Sequence, residues 1–225
     1  MRHAVMKLDR QLFYTLVLVL SVWSSCTYGQ TATQISDAEL ELRLAFISTR
    51  LTTLNPNASY WQYGWTGFYT ASMAAQTFIA LDADDDNDKE TDNIVGAIKS
   101  AGALTQMLIK PLPAVDSLER FDAMSTQTRA ERLRKLERGE ELLQVNADRA
   151  MGRYEWKRHF IGIVANLLSG VVIAAYGDSN DAVTSTLVGI AVSEANIWTE
   201  PSQAINDLKA YRNKEWTQRS TKSSE

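Results

Sequence analysis

The chain carries no charged residue between Arg50 and Asp82, and a second uncharged stretch runs from Phe160 to Gly177. Stretches of this length and apolarity have to be covered, either by a protein core or by a membrane. Neither shows the alternation of apolar and polar residues, bounded by turn residues, that predicts a half-buried strand. The sequence therefore predicts an all-α fold.

Apolar spacing and helix caps predict a bundle of about seven helices. The first helix begins at Ser36, where Glu39 completes a capping box, and the Asn55-Pro56-Asn57 cluster is predicted to end it. The fourth segment is highly charged and most clearly helical from Thr128 onward. The predicted bounds are 36–54, 60–81, 93–110, 116–158, 159–176, 181–199 and 201–218.

Small residues recur four positions apart in four of these helices. We predict that they form two helical hairpins rich in small residues, at about 60–110 and 159–199, joined by the long charged helix. Such ridges let helix backbones approach closely, in membranes and in soluble bundles alike. The ridges are Gly67-Ala71-Ala75, Gly96-Ser100, Gly162-Asn166-Gly170-Ala174 and Ser185-Gly189-Ser193.

The beginning of the chain is typical of an export signal. Three basic residues precede an apolar run at 12–23, and small and polar residues follow up to Gly29. We predict a signal peptide at 1–29, a single helical domain at 30–218 and a disordered polar tail at 219–225. The predicted location is the periplasm or the cell envelope. Two alternatives stay open, namely an uncleaved membrane anchor and lipidation at Cys26.

Composition excludes several kinds of chemistry. Cys26 is the only cysteine, so a chain cleaved after Gly29 has no disulfide, no thiolate nucleophile and no cysteine zinc site. Its one remaining histidine, His159, cannot build a metal site that needs several histidines. Cleavage removes three of 23 basic residues and one of 27 acidic ones, which leaves a net charge of −6. An acidic chain is a poor partner for nucleic acid.

An acidic segment follows the first uncharged stretch and resembles half of a calcium-binding loop. Its alternate carboxylates would supply oxygen ligands at positions one, three, five and seven. Asn87 replaces the glycine of the sixth position and Asn93 the glutamate of the twelfth, so any calcium site is weak. The alternative is a solvated turn that caps the next helix through Asp92 or Asn93. The candidate ligands are Asp82, Asp84, Asp86 and Asp88.

Three ionisable residues interrupt the apolar helices, namely Lys99, His159 and Glu194. They are candidates for a buried polar group within the bundle. No catalytic residue and no cofactor is assigned, because His159 has no nucleophile motif to serve. An enzyme that uses His159 and Glu194 is the weakest of three functional hypotheses.

The first functional hypothesis is an exported cell-envelope protein with a structural or interaction role. The charged helix at 128–158 would face a protein partner, or the chain would associate with itself. The alternative is a small integral membrane protein with a polar path near Lys99 and Glu194. Its acidic loop would then lie in the cytoplasm, against the positive-inside bias. The four candidate spans are about 60–81, 93–110, 159–177 and 181–199.

An aromatic cluster marks the start of the second predicted helix. It consists of Tyr60, Trp61, Tyr63, Trp65, Phe68 and Tyr69. Aromatic residues of this kind pack at helix ends or form the belt at a membrane–water interface. Both interpretations are compatible with the sequence.

Overall fold

A computed structural model describes residues 35–83 and 86–216. The predicted signal peptide with Cys26, and the predicted tail at 219–225, lie outside the described residues. The chain divides into two compact units, Met1–Ser36 and Asp37–Glu225, and the helices found in the described residues belong to the second unit.

Every regular element in the described residues is helical, which confirms the all-α fold. A 3₁₀ turn, Gly152–Tyr154, links the helix Arg129–Met151 to the helix Trp156–Tyr176. The helices are α1 Asp37–Leu81, α2 Asn87–Ile109, α3 Ala114–Asp122, α4 Arg129–Met151, α5 Trp156–Tyr176, α6 Ser179–Thr199 and α7 Gln203–Asn213.

The predicted helix break at Asn55-Pro56-Asn57 is wrong, because α1 runs through it for 45 residues. At 1.5 Å per residue this helix is about 67 Å long. Pro56 is tolerated because it lies on the exposed face, while Leu54 and Ala58 on the opposite face are buried. The Asn55 side chain also ties α1 to α3 by donating to the carbonyl of Val115 at 2.7 Å.

The N-terminal half of α1 packs with α3, α4 and α7 in a bundle with a conventional apolar core. The face predicted from the spacing of its leucines and isoleucine is buried throughout, at Leu40, Leu44, Ile47, Leu51 and Leu54. Gly139 of α4 brings that helix close to α1 and α3, since a Cβ there would lie 2.7 Å from Phe121 and 3.0 Å from Ile47. This bundle, formed by residues 37–58 with α3, α4 and α7, is called the charged bundle.

Three further predicted boundaries need correction, the first being the end of the seventh helix, which lies at Asn213 and not at 218. The segment at 116–158 is not one helix, because α3 ends at Asp122 and α4 begins after Thr128, whose capping box with Glu131 is complete. The helix predicted to start at 93 begins at Asn87, because Asp86 caps it by accepting from the Lys89 N–H at 3.1 Å. Asp92 and Asn93 therefore lie inside α2 and cap nothing.

The second half of α1, from about residue 60, packs with α2, which in turn packs with α5 and α6, and these two helices pack with each other. These four segments are called the apolar arm. Four glycines of the arm let its helices approach closely. A polar side chain lies over each of these four: Gln76 over Gly96, Ser193 over Gly162, Thr186 over Gly170 and Asn166 over Gly189. Gly67 makes no such contact, since a Cβ there would meet nothing within 4 Å.

Candidate functional site

A cavity of about 540 Å³ lies between the four helices of the apolar arm. Its floor is formed where α4 and the start of α5 meet the arm, at Arg149 and Arg158. The wall is apolar for the most part, but polar side chains from all four helices reach it. They include Gln76, Lys99, Ser100, Asn166, Ser193 and Asn196.

Lys99 projects from α2 and contacts α6. Its ammonium donates to the Ser185 carbonyl at 3.4 Å and lies 2.7 Å from the position that a Cβ on Gly189 would take. Glycine at 189 is therefore what leaves room for the lysine. Within the described part of the chain, Lys99 has no carboxylate within the 4.0 Å of an ion pair.

Asn166 lies beside Lys99 and is only 7% exposed. Its amide donates from Nδ2 to the Gly162 carbonyl at 2.9 Å, one turn earlier on α5. Its carbonyl oxygen, Oδ1, is buried and has no hydrogen-bond partner in the described structure. A buried acceptor without a partner is unfavourable by about 1–3 kcal/mol, so this oxygen is suited to receive a donor from a ligand or from water.

A cluster of arginines around one carboxylate closes the floor of the cavity. Glu200, 1% exposed, contacts Arg149 Nε at 3.2 Å and Arg158 Nη2 at 2.5 Å. Arg153 donates to the Glu200 carbonyl at 2.7 Å and also to that of Trp198. Burial lowers the pKa of Arg149, although Glu200 opposes this shift. Two guanidinium groups thus share a single negative charge.

His159 and Glu194 lie close together at the outer edge of the arm, and Lys99 does not join them. The imidazole Nδ1 lies 2.8 Å from Glu194 Oε2, and Nε2 lies 2.8 Å from the Arg153 carbonyl. The Trp198 indole also donates to Glu194 Oε2 at 3.1 Å. Both ring nitrogens are engaged with these partners, so the arrangement fixes the start of α5 against α6.

The acidic segment has a structural role at one of its residues. Asp86 is the cap of α2, while Asp84 lies outside the described residues. In the ranges that the structure describes, no three His, Cys, Asp or Glu side chains come together in a way that could hold a metal ion. The weak calcium loop at Asp82, Asp84, Asp86 and Asp88 stays a prediction.

The outer surface of the apolar arm is the most apolar surface described. Nearly every large hydrophobic side chain that is exposed belongs to this arm, the exceptions being Leu42, Val145, Met151 and Tyr154. Leu81 is 82% exposed, Leu168 63% and Val171 66%. The arm thus exposes many large apolar side chains, whereas few of those in the charged bundle are exposed. The buried positions of the arm are mixed, apolar at Ile173 and Ile197 and polar at Ser100 and Asn166.

One helix in the described residues, α5, is long and apolar enough to cross a membrane when judged by length and composition alone. A single such helix is weak support, because the core helix of a soluble protein passes the same test. A core helix is mostly buried, however, and only 17% of the apolar window in α5 is.

Aromatic side chains gather where the arm meets the charged bundle. Trp61 and Trp65 both donate their indole N–H to the Thr199 hydroxyl, at 3.2 and 3.0 Å. Trp156 and Trp198 lie at the same end of α5 and α6 and are largely exposed. This level is where the surface changes from charged to apolar.

Comparison of the chain with protein-family models, with curated proteins and with solved structures gave no match.

Sequence reasoning named Lys99, Asn166, His159 and Glu194 but missed the arginine cluster on Glu200. Arg149 lies in the last turn of α4, and Arg153 follows four residues later in the 3₁₀ turn, a spacing that places two residues on one face of a continuous helix. That spacing, directly before an uncharged helix, is the signal that could have indicated a buried cationic site. The partner could not be found this way, because Glu200 is 42 residues beyond Arg158.

Proposed function

We propose that this chain is an exported membrane protein of the cell envelope, with the apolar arm embedded in the bilayer around a polar cavity that binds a solute. The observation that carries the proposal is the large number of apolar side chains that the arm exposes around a cavity lined in part by polar groups. The predicted pair of hairpins, joined through α3 and α4, is part of the proposal. The spans are those predicted, at about 60–81, 93–110, 159–177 and 181–199.

The dimensions of the arm support this placement. From Trp61 to Leu81 the helix advances about 30 Å, which matches the hydrocarbon thickness of a bilayer. Trp65 and Trp156 lie near one end of this length, where indole rings favour the interface. The other end carries the acidic turn that follows Leu81. Exposing the apolar side chains between these ends to water costs free energy, whereas contact with the acyl chains of lipid does not.

The interior of the arm supports a binding role. Ionisable groups inside a membrane cost about 3 kcal/mol or more unless they face a cavity or a partner. Lys99 faces the cavity, while Glu194 is held by His159 and Trp198 at the edge. The proposed polar path therefore runs along Lys99 and Asn166, with Glu194 in a positioning role.

Cysteine labelling tests the placement directly, in a Cys26→Ser background. Leu168→Cys, on the exposed face of α5, should resist a water-soluble, membrane-impermeant maleimide in intact membranes and react once detergent is added. Arg134→Cys, exposed on α4, is the matched control and should react before detergent is added. Equal labelling of both positions in intact membranes would refute the embedded arm.

A second candidate function is the predicted interaction role, with self-association through the same apolar faces. It is favoured by one observation, that α1, α2 and α6 are long enough to cross a membrane but are not apolar enough to count as candidate spans. A soluble oligomer would protect Leu168→Cys as lipid does. It would differ from the membrane protein in remaining in solution without detergent, with a mass above that of one chain.

A further inference from the structure

The charged side chains that line the cavity are all cations, with Asp92 as the acidic neighbour of Lys99 on α2. Four cations line the cavity, namely Lys99, Lys110, Arg149 and Arg158, and no aspartate or glutamate of the described chain does. Glu200 neutralises one charge at most, because it pairs with both arginines. An aqueous anion entering this space would be attracted by every charge on its wall.

Lys99 and the cations of the floor lie at different depths. Lys99 and Lys110 are eleven residues apart on the α2 side, which corresponds to about 16 Å along a helix. An anion bound at Lys99 would therefore also be attracted, at longer range, by Lys110 and the two arginines of the floor. The single polar contact described for the Lys99 ammonium, to the Ser185 carbonyl, leaves two of its three N–H donors available.

Two further polar atoms point to a ligand. Asn166 Oδ1 and Asn196 Nδ2 are both buried and both lack a hydrogen-bond partner in the described residues. Both residues line the cavity, and Asn166 is more than nine-tenths buried. The amide of Asn196 can donate to an anionic oxygen, and the carbonyl of Asn166 can accept from a hydroxyl or a water that accompanies it.

The rest of the wall suits an apolar body. Trp61, Met107, Val188 and Val192 line the same space. A mostly apolar cavity of about 540 Å³ with a few convergent polar groups is of the size and character of small-molecule sites, which span roughly 300–1,000 Å³. An inorganic ion would leave most of this wall uncovered.

We infer that the cavity binds a small organic anion, whose acidic group contacts Lys99 and whose apolar body packs against Met107, Val188 and Val192. This inference rests on the proposed function for the role of the cavity and names its ligand class. Binding itself is measured separately from membrane insertion, so the two can fail independently.

The test uses three fluorinated probes of nearly equal size and different charge. The purified full chain in nanodiscs of zwitterionic lipid is titrated with 4-fluorobenzoate, 4-fluorobenzamide and 4-fluorobenzylammonium, and binding is followed by ¹⁹F NMR. If the chain proves soluble, the same titration is made without lipid. We expect saturable binding of the benzoate, with the ammonium probe at least tenfold weaker.

Variants assign that binding to Lys99. Lys99→Met should weaken 4-fluorobenzoate roughly tenfold or more, as expected for loss of a charge-assisted hydrogen bond, and Lys99→Arg should retain most of the affinity. Lys89→Met, an exposed lysine on the same helix, is the control and should change nothing.

A second variant pair keeps the test decisive if Lys99→Met does not fold. A Cβ on Gly102 meets no atom within 4 Å, so a side chain can be added there without a clash. Gly102→Asp places a carboxylate one turn from Lys99 and should weaken the benzoate probe, while the isosteric Gly102→Asn should not.

Repeating the titration with anionic phospholipid in the nanodiscs identifies the source of the anion. Weaker binding of 4-fluorobenzoate in the presence of anionic phospholipid would identify a lipid head group as the natural occupant. Unchanged binding would identify a dissolved organic acid. The inference is overturned if 4-fluorobenzoate shows no saturable binding, if it binds equally to wild type and Gly102→Asp, or if the ammonium probe binds as tightly.

Discussion

Gly139 offers a quantitative test of how closely the charged bundle is packed. On helix propensity alone, Gly139→Ala in the middle of α4 should stabilise the protein by about 1 kcal/mol. The new Cβ would however lie 2.7 Å from Phe121 Cε2 and 3.0 and 3.1 Å from two atoms of Ile47. Carbon atoms pack best at about 3.5–4.0 Å.

Packing should outweigh propensity at this site. Phe121 is 2% exposed and Ile47 is fully buried, so neither can move toward solvent. Overpacking of this kind costs about 1–3 kcal/mol, which leaves a net destabilisation of about 1 kcal/mol after the gain in propensity. For a chain of this size that loss lowers Tm by about 2–4 °C.

The assay is urea unfolding of the purified full chain in mild detergent, followed by circular dichroism. Gly152→Ala is the control, because Gly152 has a right-handed φ of −56° and a Cβ there meets nothing within 4 Å. It should be neutral or stabilise by up to about 1 kcal/mol. A Gly139→Ala variant as stable as the Gly152→Ala variant would refute the close approach of α1, α3 and α4.

Three further predictions concern the ionisable groups of the charged bundle and of the cavity floor. Glu200→Gln leaves two arginines without their shared charge and should destabilise the fold by about 3 kcal/mol in the same urea assay; an unchanged midpoint would contradict the buried cluster. Burial raises the pKa of Asp207, although the nearby Arg50 opposes this shift. The contribution of Asp207 to the stability of the fold therefore falls as the pH rises from about 4 through the raised pKa. Asp207→Asn should therefore gain stability relative to wild type across that pH range, and a constant difference would contradict the raised pKa. A hydrogen bond from the Thr128 backbone N–H lowers the pKa of Glu131. Wild type should therefore be more stable than Glu131→Gln at pH values above the usual pKa of a glutamate. This advantage should be lost as the pH falls through the lowered pKa of Glu131. Thermal unfolding between pH 3 and 7 checks it, and a difference that grows toward acid would contradict the cap.

The buried face of α1 could be predicted from sequence because helical spacing is a local property. Leu40 to Leu54 repeat every three or four residues, and all five predicted positions are buried. The continuation of α1 past Pro56 could not be predicted in this way. It depends on partners distant in sequence, since Leu54 packs in a core with Leu112 and Ala204. That packing offsets the roughly 3 kcal/mol that proline costs inside a helix.

Glycine shows the same difference between local and distant information. On helix propensity alone Gly139 is a weak point of α4, whereas the structure shows a close helix contact there. Gly67 has the spacing of a helix-contact glycine and makes no contact. The composition of one helix cannot tell which glycine faces a neighbour, because that depends on the direction in which the neighbour crosses.

The cavity could be predicted only in part for a related reason. Lys99 and Asn166 attract attention as polar residues in apolar helices. Their proximity follows from Gly189, which lies 90 residues beyond Lys99 and lets both side chains lie over one helix. The arginine cluster needs the return of α6 to the end of α4, and no local pattern encodes that return.

Alkaline carbonate extraction of membranes, from cells that express a C-terminally tagged chain, tests the central claim most directly. The embedded arm predicts that both wild type and the Cys26→Ser variant stay in the membrane pellet, which excludes lipidation of Cys26 as the cause of retention. Release of the Cys26→Ser variant into the supernatant would contradict the account, and the apolar faces would then have to be covered by protein.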